Sequence, residues 1–232
     1  MKTHPTGLPR AVELPLALLG LVVSLPVLAV VAIAVRCSSR GPVLFRQERV
    51  GLLGQGFTLF KFRSMQVDSA GPCVTSKGDA RVTLVGRVLR KFKLDELPEL
   101  WNVVRGEMSL VGPRPEASEY VDTQDPLWQR VLEARPGLTD PVTVKLRNEE
   151  ELLGCAGEGY ESFYLTVLQP YKLAGYIEYL DKRTWRSDLR VLLDTGRLIA
   201  FPSAASPPSI DELRSAVAGG YERKGVAGGV PR

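Results

Sequence analysis

The chain has 232 residues, with 30 Lys+Arg against 26 Asp+Glu and a formal net charge of +4. That length holds one medium domain with additions, and the mild basicity suits an anionic membrane surface or phosphate ligands without demanding either. No dense basic run interleaved with aromatics occurs, which argues against nucleic acid as a partner. Cys37, Cys73 and Cys155 are dispersed and odd in number, so neither a disulfide framework nor a zinc site is expected. His4, the single histidine, stands near the N-terminus, which speaks against a His-based triad or a His-ligated metal centre.

Leu14 to Val35 is an almost uninterrupted apolar run, long enough as a straight helix to cross a bilayer core. A cleaved leader, a spanning anchor and a re-entrant helix compete for it. Arg36, Arg40 and Arg46 follow closely and speak against a leader. Pro26 at mid-run removes one helix hydrogen bond and frees the carbonyl of Val22, which Ser24 could help to satisfy. Positive charge flanks both ends, with Lys2 and Arg10 before and Arg36 and Arg40 after, whereas a spanning helix normally shows asymmetry. The residues alone leave spanning and re-entrant forms balanced.

Gly41 to Met65 reads as a hairpin: a strand at Pro42–Val50, a glycine-rich turn over 51–56, and a return strand from Phe57. Lys61 and Arg63 alternate with Phe60 and Phe62, so the two cations share a face. Val67 to Asp79 is a polar loop. Thr83 or Asp79 can cap a helix from Leu84 to Phe92, in which Arg87, Arg90 and Lys91 fall late, where the helix dipole favours cations.

The stretch Lys93 to Pro115, KLDELPELWNVVRGEMSLVGPRP, is the centre of the sequence. Leu97, Leu100, Trp101 and Val104 recur at helical spacing, which predicts an amphipathic helix with Glu99, Asn102 and Arg105 on its polar side. Asp95 is the expected N-cap, Pro98 suits the first turn, and Gly106 suits the end. Two prolines then fix the backbone around Arg114. A helix cap alone would explain Asp-Glu-Leu-Pro. A carboxylate pair flanked by Arg90, Lys91, Lys93 and Arg114 also suits a site for a phosphorylated ligand.

Leu94-Asp95-Glu96-Leu97-Pro98, Leu100-Trp101-Asn102-Val103 and the run from Gly106 to Pro115 resemble the bacterial sugar transferase family. Its members are monotopic phosphoglycosyl transferases that load a sugar phosphate onto a polyprenyl phosphate. Weaker similarity extends from about Leu14 to about Phe201, including GPVLFRQERVG and KFRSM in the hairpin. The resemblance implies an α+β fold: a re-entrant membrane helix broken at Ser24 and Pro26, then a small, mostly helical catalytic domain with a β-hairpin. It implies Asp95 as nucleophile, with Glu96 as its dyad partner, and phosphate contacts from Lys61, Arg90 and Arg114. Arg63, Arg135 and Arg147 become candidates for a nucleotide or sugar pocket.

After Pro115, residues 116 to 135 look helical with an interruption at Pro126. Arg135-Pro136-Gly137-Leu138-Thr139 again resembles the family. Asp140-Pro141-Val142-Thr143-Val144 departs from the Gly-Trp-Ala-Gln-Val of many members, which points to a different donor pocket. Glu149 to Glu161, acidic with three glycines, reads as a loop. Residues 164–180 and 187–201 read as helices. Tyr171, Tyr176, Tyr179 and Trp185 fit either core or lipid interface. From Pro202 the chain is rich in Pro, Gly, Ser and Ala, which predicts disorder. The expected organisation is a tail and membrane helix (1–36), a cytoplasmic catalytic domain (37–201) and a disordered tail (202–232).

The family reaction moves sugar 1-phosphate from a nucleotide sugar, usually a UDP-sugar, to a polyprenyl phosphate through an aspartyl intermediate, at the cytoplasmic face of the bacterial inner membrane. A carboxylate attacking a diphosphate meets like charge, about 4 kcal/mol per pair at ~4 Å and an effective dielectric of ~20. Mg2+, which prefers one or two carboxylates plus substrate phosphates, would offset this at Asp95. Two other readings share these residues: a metal-dependent nucleotide-sugar phosphohydrolase, and an inactive membrane-anchored scaffold. Sequence leaves the sugar and the oligomeric state open.

Overall fold

The computed structural model describes residues 7–67, 71–201 and 208–223; Lys2 and His4 lie outside them. Helix α1 (Arg10–Ser38) extends past the expected apolar run at both ends. It remains helical through Pro26, and Ser24 Oγ donates to the Leu21 carbonyl at 3.0 Å, one residue before the carbonyl that Pro26 was expected to free. Two zones of α1 bury side chains: Glu13 and Ala17 near its start, and Val31 and Val35 near its end. Between them Val22, Val23, Leu25 and Val27 are exposed.

The hairpin forms as the alternation predicts, with β1 (Leu44–Val50) antiparallel to β2 (Gly56–Phe62), Phe45 opposite Lys61. Helix α2 (Leu84–Lys91) is capped by Thr83, whose side chain accepts from Gly86 N at 2.9 Å. Helix α3 (Glu99–Arg105) ends at Gly106 in the left-handed region, φ 84°. Strands β3 (Ser109–Val111) and β4 (Gly137–Thr139) pair in parallel. Their backbones approach so closely at Gly112 and Gly137 that a Cβ on Gly137 would lie 2.1 Å from Gly112 N. Any side chain there would push the two loops apart.

Pro126 does not interrupt a helix but begins one. Helix α4 (Pro126–Leu132) is capped by Asp125, and proline at the first position loses no bond. Residues 118–120 before it form a single tight turn. Helix α5 (Pro141–Lys145) starts in the same way at the departing segment. Buried Asp140 accepts from Val142 N and Thr143 N, at 2.7 and 3.0 Å.

The expected acidic loop is instead helical, with α6 (Glu149–Cys155) and α7 (Tyr160–Phe163). Three glutamates in the first turn of α6 suit its dipole. Helices α8 (Gln169–Lys182) and α9 (Trp185–Ala200) follow. Tyr176 and Tyr179 are core, while Trp185 is exposed.

The tail also departs from expectation. Residues 202–207 and 224–232 lie outside the described residues, but α10 (Ile210–Arg223) is a helix and its Leu213 is fully buried. Leu213 joins a core with Trp128, Leu153, Leu168 and Tyr176. A second core joins Ala17 of α1 to Leu59, Leu100, Met108 and Leu110. A third joins Val31 and Val35 to Phe62 and Leu89.

Candidate active site

A cleft of about 2080 Å³ runs between the hairpin, α2 and α6, roughly twice the upper size of a typical small-ligand pocket. Asp95, Glu96, Lys61, Arg90 and Arg114 all line it. Asp95 and Glu96 sit in a tight turn, Leu94–Glu96, between α2 and α3. Lys93, at φ 57°, turns the chain sharply into it, a conformation that carries strain for a lysine.

Asp95 does not cap the helix. Pro98 takes the N-cap position of α3, and Asp95 Oδ1 is buried without a hydrogen-bond partner. Glu96 has the opposite surroundings. Arg114 donates to it through both terminal nitrogens, NH2 to Oε1 and NH1 to Oε2, the latter at 3.4 Å. Lys61 and Lys93 approach it at 3.6 and 3.9 Å.

The two acids therefore separate in pKa. Burial, with the Glu96 charge beside it, raises Asp95 above the usual carboxylate range against Lys61, Lys93 and Arg90. Burial pushes Glu96 the same way, but Arg114, Lys93 and Lys61 overcome it and hold Glu96 well below. Divergent neighbours are the feature that gives paired carboxylates different duties.

Arg114 is fixed from its backbone outward. Gly137 N donates to Pro113 O at 2.9 Å, Arg49 to Pro115 O at 3.2 Å, and Val50 N to Glu116 O at 3.0 Å. The Glu116 carboxylate is buried and receives Lys172 Nζ at 2.7 Å. Lys172 also meets Glu149 at 3.5 Å and Tyr164 Oη at 3.4 Å. Burial opposes the charge on both members, yet each keeps it: Glu116 is held below its usual value by Lys172 and Arg49, and Lys172 above its own by Glu116 and Glu149.

The remaining cations have other partners. Arg90 donates to Glu150 of α6 from Nε and NH2, at 2.8 and 2.7 Å. Arg63 is buried and donates to the Ser39 carbonyl at 2.7 Å and the Val35 carbonyl at 3.4 Å, closing the end of α1. Arg147 donates to the Leu198 carbonyl near the end of α9. Arg135 lies outside the cleft lining. Arg63 and Arg147 thus serve helix C-termini, whose last carbonyls lack internal partners.

Helical spacing misplaced the inner face of α3. Glu99 and Asn102 are buried with Leu100 and Val103, while Trp101 is exposed. Asn102 holds the hairpin edge, donating to Thr58 O at 2.7 Å and accepting from Phe60 N at 3.2 Å. Glu99 Oε1 lies 3.2 Å from Lys61 Nζ. Glu116 and Lys172 carried no signal beyond being polar, and only the fold brings them together; Asn102 lay in a segment that resembles the family, but its inward orientation was not legible.

Several curated relatives match the chain. It is 40% identical over 176 residues, 73% of this chain, to a UDP-glucose:undecaprenyl-phosphate glucose-1-phosphate transferase of Caulobacter vibrioides. It is 50% identical over 113 residues (47% of this chain) to an undecaprenyl-phosphate glucose phosphotransferase of Komagataeibacter xylinus. It is 39% identical over 135 residues (56%) to a UDP-N-acetylgalactosamine-undecaprenyl-phosphate N-acetylgalactosaminephosphotransferase of Aeromonas hydrophila. The matches span 61%, 21% and 32% of those relatives' own lengths. With the model of the bacterial sugar transferase family matched along residues 5–201, the chain belongs to that family.

Proposed function

We propose that the protein transfers a sugar 1-phosphate from a UDP-sugar to undecaprenyl phosphate at the cytoplasmic face of the bacterial inner membrane. The observation that carries this is Asp95: a buried carboxylate with one oxygen unpartnered, beside an acid fully engaged by Arg114, at the floor of a wide cleft. A nucleophile needs that free oxygen. In the first step an Asp95 oxygen attacks the phosphorus that carries the sugar, and the bond to the second phosphate breaks, releasing UMP. In the second, a phosphate oxygen of the lipid attacks the same phosphorus and frees the Asp95 carboxylate. Arg114 and Lys61 face the charge that builds on the phosphoryl oxygens.

Asp95 also suits Mg2+. Its orphaned oxygen and raised pKa fit a neighbouring cation, and no group of three or more metal-ligating side chains occurs among the described residues. That donor set suits an ion that takes its other ligands from substrate phosphates and water. When bound, Mg2+ would neutralise diphosphate charge.

The lipid acceptor is supported by α1. Its start and end both dock on the same domain: Glu13 Oε1 accepts from Leu110 N at 3.1 Å, and Arg63 binds the Val35 carbonyl. Its exposed middle surrounds Pro26. A helix held at both ends by one domain suits re-entry better than crossing. Helix α2 adds exposed Leu84 and Val88, with Phe92 just beyond its end, beside Arg87 and Lys91, a pattern suited to a headgroup layer. A water-using hydrolase would need none of this apolar surface.

The test is release of UMP from UDP-glucose in the presence of undecaprenyl phosphate and Mg2+. Transfer should require the lipid and vanish in Asp95→Asn. Lipid-independent release of glucose 1-phosphate would overturn the assignment, as would substantial turnover by Asp95→Asn.

A further inference from the structure

Lys61 has two carboxylates competing for one ammonium. Its Nζ lies 3.2 Å from Glu99 and 3.6 Å from Glu96, whereas no ion pair to Asp95 forms among the described residues. Glu99 is 1% exposed, and Lys61 is its ion-pair partner. It opens α3, one turn beyond Asp95, and points inward where helical spacing predicts a solvent face. A buried carboxylate is costly unless paired, and the Lys61 ammonium offsets part of that cost, although Glu99 Oε1 makes no hydrogen bond. The ammonium thus sits against Glu99 and Glu96, while Asp95 Oδ1 is left without a partner.

We infer that Glu99 is a positioning residue that holds the Lys61 ammonium off Asp95 before the donor arrives. This rests on Asp95 as the nucleophile. An ion pair with Lys61 would occupy Asp95 with the cation meant for the phosphate. The Asp95 oxygen would then have to break that pair before attacking phosphorus. With Glu99 in place the ammonium waits beside the nucleophile, and an arriving phosphate competes only with Glu99 and Glu96. Burial and the Glu96 charge raise the Glu99 pKa, and Lys61 is the foremost of the cations opposing that shift, ahead of Arg114.

The experiment is a double-mutant cycle between Glu99 and Lys61, read as kcat/KM for UMP release from UDP-glucose with undecaprenyl phosphate. Glu99→Leu should lower kcat/KM about 10- to 100-fold in the wild-type background, and less than about 2-fold in a Lys61→Met background. Glu99→Gln keeps the shape and an acceptor oxygen, so it should lie between wild type and Glu99→Leu. A second readout needs no turnover: zero-length carbodiimide crosslinking followed by peptide mass spectrometry. Wild type should join Lys61 to Glu99 or Glu96, and Glu99→Leu should add a Lys61–Asp95 link. Equal losses in both backgrounds would mean a purely structural role and overturn the inference. So would wild-type activity in Glu99→Leu, or the absence of the Lys61–Asp95 link from Glu99→Leu and Glu99→Gln alike. Failure of the underlying reading looks different, because Asp95→Asn would then retain transfer whatever Glu99 does.

Discussion

Replacing Arg114 by lysine keeps the charge and removes the fork. Both terminal nitrogens of Arg114 reach the two oxygens of Glu96, a geometry that an ammonium cannot reproduce. Pro113 and Pro115 bracket the residue, and three hydrogen bonds to backbone carbonyls of the segment, two from backbone N–H groups and one from the Arg49 side chain, hold it in place. Little conformational entropy therefore remains to be lost when the guanidinium moves to a phosphate. A hydrogen bond to a charged group contributes roughly 1.5–3 kcal/mol. Losing one of two in the transition state should lower kcat/KM about 10- to 100-fold.

If Arg114 acts mainly as charge builds on the phosphoryl group, kcat should carry most of the loss and the donor KM should move less than about threefold. The assay is UMP release at varied UDP-glucose and saturating undecaprenyl phosphate, with thermal unfolding in detergent as a control. The lysine still faces Glu96, so the melting temperature should change little. Wild-type kcat/KM in the lysine variant would refute the bidentate role. A loss confined to stability would reduce Arg114 to a structural partner of Glu96.

Lys172→Met should leave the buried Glu116 carboxylate with Arg49, at 3.8 Å, and the Tyr164 hydroxyl, but without its closest cation. Breaking such a pair costs about 3–5 kcal/mol, or roughly 6–20 °C in Tm at this size, and adding Glu116→Gln should recover much of it; a shift below about 2 °C contradicts the account. Glu150→Gln should release the Arg90 guanidinium and lower the donor KM about two- to fivefold, the range of a part-exposed ion pair, and an unchanged or raised KM removes Glu150 as a competitor of the donor. In intact spheroplasts, tags on both termini of wild type should stay shielded from external label, while Pro26→Leu should expose a fraction of N-termini; an N-terminal tag labelled in wild type would make α1 an ordinary crossing helix.

Where local chemistry decides structure, the sequence was legible. Thr83 at a helix start, Gly106 at a helix end and the alternating hairpin all take their expected places. Two missed elements were also written locally. Ser209 and Glu212 form reciprocal bonds at the start of α10, a serine–glutamate cap three residues apart, within a tail whose composition suggested disorder. Glu149 to Glu151 mark the start of α6, but the glycines that follow favoured a loop.

The inner face of α3 could not be read in this way. Periodicity assumes that apolar means inward. Here Trp101 is half exposed, while Glu99 and Asn102 turn inward to a lysine and a strand edge. The site broke the pattern because its inward groups are polar by function. Arg63 and Arg147 illustrate the converse. A cation on a promising strand or motif can be absorbed by helix-end carbonyls that the sequence does not display.

The two attachments of α1 fall on the strands that carry the site. At its end, Arg63 grips the Val35 and Ser39 carbonyls. Lys61, two residues earlier on the same chain, reaches Glu96 and Glu99. Two extended residues span only ~7 Å, so the ammonium that faces the carboxylates lies within about that distance along the chain from the helix anchor. At its start, Glu13 binds Leu110 N, on the strand that leads within four residues to Arg114. A displacement of either end of α1 would therefore be felt at Lys61 or Arg114, two of the three cations beside Glu96. This coupling gives a role to the charged side chains that hydrogen-bond at both ends of α1, where apolar packing alone would hold it to the domain. Ion pairs and carbonyl bonds fix direction and depth, and apolar contacts do not. The lipid acceptor proposed above presents its phosphate at the bilayer surface, and on that reading Arg63 and Glu13 are the residues placed to set the depth.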